Sequence, residues 1–133
     1  MPDNFRYSNG LGHAPAYQVS SIPFATGSLS VEASSGTPLK IEFPRVTSWV
    51  TIVNRSSQHL RVGFSANGIK GTNYFTVHED NHPTHNRYDL KVTEVYFLSH
   101  GTAITSQVDI IAGLTTIETG SILNNWSGSA GVG

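Results

Sequence analysis

The sequence predicts an all-β protein, an antiparallel β-sandwich or barrel of about eight strands. Three observations predict it. Apolar residues alternate with polar ones at a period of two in segment after segment, which places each set on opposite faces of a sheet. Turn-forming Gly, Pro, Asn and Ser punctuate these segments at short intervals. No stretch of ten residues carries the i, i+3, i+4, i+7 apolar stripe of an amphipathic helix.

Residues 1–16 show no alternation and carry Pro2, Gly10, Gly12 and Pro15, so they read as an extended N-terminal arm. A first short strand is expected near 17–21. In SLSVEA, Leu29 and Val31 alternate with Ser30 and Glu32, giving a strand over 28–33. Ser-Ser-Gly-Thr-Pro at 34–38 turns the chain. In PLKIEF, Leu39, Ile41 and Phe43 alternate with Lys40 and Glu42, a strand over 38–43. TSWVTIVN, residues 47–54, is apolar on both faces, with Trp49 and Val53 opposing Val50 and Ile52. That pattern predicts a central strand covered on both sides, and a largely buried Trp49.

HLRVGFS continues the alternation through Leu60, Val62 and Phe64 over 58–65. The Asn67-Gly68 pair favours positive φ and a tight hairpin, and residues 65–73 extend it into a longer loop. A further strand is expected over 73–78. LKVTEVYFLS changes parity midway: Leu90 and Val92 share one phase, Val95 and Phe97 the other. Burying Glu94 unpaired is costly, so a strand over 89–99 with a bulge near Glu94 is expected. QVDIIAG places Val108 and Ile110 opposite Gln107 and Asp109 in a last strand over 105–113. The sandwich domain thus spans 17–117, and a Gly/Ser-rich tail, ETGSILNNWSGSAGVG, spans 118–133. Jelly rolls and immunoglobulin-like sandwiches share these cues.

Composition narrows the function. A chain of 133 residues makes one domain and buries enough surface to be stable without staples. There is no cysteine, hence no disulfide and no thiolate metal site. The formal charge is −1, and charged residues are only 13%. That balance offers no broad attraction to nucleic acid or an anionic membrane. So little charge suggests that neighbouring subunits cover part of the surface. The N-terminus lacks a signal-peptide pattern, and the sequons at Asn54 and Asn125 are read as unused.

The densest chemistry lies in HEDNHPTHNRYD, residues 78–89, with His78, His82 and His85 beside Glu79, Asp80 and Asp89. Imidazoles can ligate zinc. On a helix this spacing would put two on one face, but Pro83 interrupts it, and an irregular loop fixes no geometry. The tract is read as a solvated strand-to-strand loop, with no metal or other cofactor. His13, His59 and His100 are isolated in the sequence. No G-x-S-x-G elbow, P-loop or dinucleotide fingerprint occurs, and Glu32, Glu42, Glu94 and Asp109 lie among polar neighbours on strands. No catalytic residue is assigned, and the chain is not expected to be an enzyme. The ends hold the interaction candidates. Phe5, Tyr7, Tyr17 and Trp126 are aromatics set in Gly/Pro-rich segments, where they suit anchoring on a neighbour.

The order of features resembles small β-sandwich proteins of icosahedral virus and phage heads: capsid cement, decoration or minor capsid proteins. The resemblance is carried by the arm followed by AYQVSSIPFATGSLSVE, then IEFPRVTSWVTIVN, LRVGFSANGIKGTNYF, LKVTEVYFLS, VDIIAGLTTI and NNWSGSAGVG. It implies a jelly-roll-like core, a place on the virion surface after synthesis in the host cytoplasm, a capsid shell protein as partner, and self-association, with a trimer favoured. Two alternatives stand beside it. One is a carbohydrate- or receptor-binding module of a viral fibre or spike. The other is a metal-dependent β-barrel enzyme of the cupin kind, which would need the histidines of 78–85 to converge. Elemental analysis of the purified protein is expected to find no stoichiometric metal. Replacing His82 and His85 by Ala is expected to shift stability by no more than about 0.5 kcal/mol, as at other exposed loop sites.

Overall fold

Two four-stranded antiparallel sheets face each other across an apolar core. The computed structural model describes residues 22–78, 87–102, 105–121 and 126–133, with backbone alone at 105, 106 and 121. The elements are β1 (Ile22–Val31), β2 (Leu39–Glu42), β3 (Thr47–Asn54), β4 (Leu60–Gly63), α1 (Ala66–Lys70), β5 (Tyr74–Val77), β6 (Arg87–Tyr88), β7 (Glu94–Ser99), β8 (Thr105–Leu114) and a 3-10 turn, Thr119–Ser121. One sheet has the order β1-β8-β3-β6, the other β2-β7-β4-β5. The chain therefore changes sheet at every connection except β4 to β5.

The period of two decides which side chains make the core. Val50 and Ile52 of β3, Leu60 and Val62 of β4, Val95 and Phe97 of β7, and Val108, Ile110 and Ala112 of β8 are buried between the sheets. Aromatic pairs close the two seams where the sheets' edges meet. Phe24 of β1 meets Phe43, just beyond β2, edge to face at 5.1 Å. Phe75 of β5 meets Tyr88 of β6 at 5.0 Å. One polar group bridges the sheets: the fully buried Asn54, at the end of β3, donates to the carbonyls of Gln58, Val77 and His78. Its Oδ1 accepts from the amide and hydroxyl of Ser56.

Three local expectations are corrected. Residues 89–99 are not one bulged strand. β6 belongs to one sheet and β7 to the other, and the parity change marks the crossing between them. Thr47 Oγ1 donates to Leu90 O and accepts from Val92 N, holding that crossing in place. Glu94 then points outward, where Lys40 lies 3.5 Å away and the Tyr96 hydroxyl donates to it at 2.6 Å. Burial, and secondarily the Glu94 carboxylate, push the Tyr96 hydroxyl pKa up, so it stays a donor.

The second correction concerns 65–73, expected as a hairpin loop. Ala66–Lys70 is a short helix. Ser65 caps it by accepting from Gly68 N at 2.9 Å, and the Gly71 amide donates to the carbonyls of Asn67 and Gly68. The helix lies over β4 and β7, on the outer side of their sheet, and buries Ile69 completely. It fits because Gly63 has no side chain: a Cβ there would sit 3.0 Å from that of Ile69. Third, the outer side of β3 is covered only in part: Thr51 there is buried, whereas Val53 is half-buried. Trp49 faces away from the core, half-buried, with Arg87 stacked 5.3 Å above its ring. The expected strand near 17–21 lies outside the described residues.

These placements set an order of mutational cost. Phe97→Ala removes a fully buried ring from the core and is expected to cost about 3–5 kcal/mol. Trp49→Ala is expected to cost less, about 1–2 kcal/mol, because burial of its ring is partial. Urea melts of the two variants measure the difference.

Candidate functional site

The anchors proposed from the sequence divide sharply. Phe5, Tyr7 and Tyr17 lie outside the described residues, as do His82 and His85. Trp126 is described. It is 49% exposed, adopts a positive φ of 67°, and has Lys91 Nζ 5.8 Å from its ring centroid. The segment it opens turns tightly, with Ser129 N donating to Trp126 O. It ends against α1, where the Ser65 hydroxyl shares its proton between the carbonyls of Val132 and Gly133 at 2.8 and 2.7 Å. Among the described residues Trp126 is not brought together with any other proposed anchor.

The histidines take an arrangement that their sequence spacing hides. Leu60 is paired with both Val77 and Ser99, so the next residue in each strand falls into one row: His100, His59 and His78. The rings of His59 and His78 meet edge to face at 4.7 Å. His100 Nδ1 accepts from Arg61 Nε at 3.0 Å, and the Arg61 guanidinium stacks 4.5 Å over Tyr74. No group of three or more metal-ligating side chains suited to an ion occurs among the described residues.

The most distinctive surface is the outer face of the β1-β8-β3-β6 sheet. Register places Ala25, Ile111, Thr51 and Arg87 in one row across all four strands. Pro23, Gly113 and Trp49 form the next row, and Asp109 lies opposite Val53 on the other side. Ile111 stands 42% exposed near the middle of this face, on a strand hydrogen-bonded along both edges. Beside it lies a shallow depression of about 170 Å³, lined by Ala25, Gly27, Val53 and Ile111 among others. The charges around it are paired: Arg55 binds Asp109 through two nitrogens at 3.0 and 3.2 Å, and Arg87 binds Asp89 at 2.9 Å. The opposite sheet differs. Its outer face carries Lys40, Glu42, Glu94 and Arg61 and is partly overlaid by α1.

Sequence reasoning passed over the apolar face although two signals marked it. One was the doubled Ile110-Ile111, which breaks the alternation of β8. The other was the second apolar side of β3, taken as a sign of burial. No protein-family model, curated protein or solved structure matches this chain.

Asp109 is the polar pin of this face. It accepts from the amide of Ser28, a residue at φ 52° in the irregular stretch of β1. Partial burial raises its pKa, but the hydrogen bonds from Arg55 and Ser28 outweigh that and hold the carboxyl below its ordinary value of 3.8. A carboxylate with a lowered folded pKa contributes stability above the unfolded value, and this is lost as pH falls through the folded one. Asp109→Asn is therefore expected to lower the melting temperature at pH 7. The gap to the parent is expected to close progressively below about pH 4, in thermal melts run from pH 7 to pH 2.

Proposed function

We propose that this chain is a structural virion protein of the capsid cement, decoration or minor capsid kind, with a jelly-roll core that binds the shell and copies of itself. One observation carries the reading. The strands pair as β1 with β8, β2 with β7, β3 with β6 and β4 with β5. That is one long nested hairpin, and the β8–β3 and β7–β4 pairings fold it over into two sheets. Eight-stranded double-sheet rolls of this plan serve in viral capsids, lectins and cupins. Low charge and an exposed apolar sheet face favour the packing role among these. The function is binding: the fold holds flat faces and edges rigid, and the aromatics of the chain ends extend the contact area. A trimer on the virion surface is the assembly the sequence favours.

A carbohydrate-binding reading has one supporting feature. An open groove of about 290 Å³ is lined by Phe64, Thr72, Asn73, Tyr74, Phe75 and Gly131. Aromatic rings beside a carboxamide suit a sugar ring, which stacks on one and hydrogen-bonds to the other. Titration with glycans under conditions where particles are absent separates the two readings.

The shell reading predicts that the protein co-purifies with intact particles. It also predicts that a chain beginning at Tyr17 stays folded by circular dichroism but fails to attach to particles stripped of the native protein. Phe5 and Tyr7, the anchors proposed for the arm, would each supply about 2 kcal/mol or more as interface hot spots. Full occupancy by the shortened chain would move the attachment to the sheet faces or to Trp126.

A further inference from the structure

We infer that the outer face of the β1-β8-β3-β6 sheet is a self-association surface, occupied by the same face of a second copy of this chain. This deepens the proposed structural role and rests on it only for its biological setting; the contact itself is a property of the isolated protein. Ile111 is the centre of this face. It lies on the outer face of a strand hydrogen-bonded along both edges and is 42% exposed, one of three large apolar side chains so exposed among the described residues. Its row neighbours Ala25 and Thr51 are small, so Ile111 stands above them as a knob. Directly beside it, between β1, β8 and β3, lies the depression of about 170 Å³ floored by Ala25, Gly27 and Val53. A knob and a hole on one patch are self-complementary. Turned about a twofold axis, each copy presents its knob to the other's hole, which makes an isologous contact.

Charge and area agree with that occupant. Asp109 and Arg87, the charged residues on this face, are each already paired within the chain, so a second copy meets no unpartnered charge of its own sign. A basic or acidic partner would find nothing here to select it. Strands of ten, ten, eight and two residues, about 4.8 Å apart, give a face of about 500 Å². A pair would then bury about 1,000 Å² in total, the size of a weak, reversible interface. Sheets that pack face to face in this way interdigitate side chains at an angle of about 30°. The unit formed is a twofold pair; a trimer on a particle would use a second surface.

The test uses the full chain in solution. Sedimentation equilibrium across low to tens of micromolar concentrations is expected to show a reversible dimer. Ile111→Arg is expected to weaken it about 30-fold or more, the loss typical of a central interface residue, with circular dichroism unchanged and melting unchanged at dilutions where the parent is itself monomeric. Ala25→Arg, which fills the hole instead of removing the knob, is expected to do the same, so the test survives if one variant misfolds. Because the chain has no cysteine, Val53→Cys offers a single thiol on this face. A short bis-maleimide is expected to join it into dimers, while Glu42→Cys on the other sheet stays uncoupled. A monomer at tens of micromolar overturns the inference. So does a dimer that both arginine variants leave intact, or cross-linking through position 42 and not position 53. Attachment to particles is scored separately, so failure of the shell reading leaves this result interpretable.

Discussion

The structure depends on β8 lying between β1 and β3. The last strand among the described residues must hydrogen-bond to the first on one side and to the third on the other, with Ile22 opposite Leu114 and Val50 opposite Ala112. Until residues 105–114 are in place, β1 and β3 have no partner to bring them into one sheet. The core-facing set Val108, Ile110 and Ala112 is then the floor onto which the opposite sheet closes. Pairings this distant in sequence carry a large loop-closure cost before any contact offsets it. The fold answers with local devices that shorten the search: the β4–α1–β5 excursion, capped by Ser65, and the Asn54 carboxamide that gathers three carbonyls from two segments.

The same arrangement makes the two outer faces unequal. The β2-β7-β4-β5 sheet covers part of its own outer side, because the connection between β4 and β5 folds back as α1 and Gly63 lets Ile69 approach. The carbonyls of Val132 and Gly133 then rest on the cap of that helix. On the other sheet, among the described residues, no element lies over Ile111, Val53 and Trp49. An apolar face left in this condition is where a partner gains most from excluding water. The asymmetry is therefore a direct link from topology to the proposed assembly.

Much of this was legible in the sequence, and the failures have physical reasons. The bounds of β3 match the expected 47–54, and the inward and outward sets of β2, β4 and β8 follow from alternation alone, since a sheet has no other period. Strand order was not legible, because β8 pairs with β1 and β3 through hydrogen bonds that any sequence can make. The parity change in 90–97 was visible, but a bulge and a crossing between sheets leave the same trace in one dimension. A five-residue helix is too short to show a 3.6-residue period, so α1 read as a loop. Trp49 misled for a different reason. Apolar residues on both sides of a strand mark neither side as strongly polar, and cannot say how far each is covered. The row of His59, His78 and His100 was invisible because it exists only through cross-strand register.

The placement of β8 is also the most direct thing to measure. Cross-strand nuclear Overhauser effects in the labelled protein are expected to connect Ala112 with both Phe24 and Val50, and Ile111 with both Ala25 and Thr51. Those four contacts together put β8 between β1 and β3, in the register that sets Ile111 and Ala112 on opposite faces. Contacts running directly between β1 and β3, with Ala112 seen by only one of them, would contradict the nested pairing and with it the apolar face on which the assembly depends.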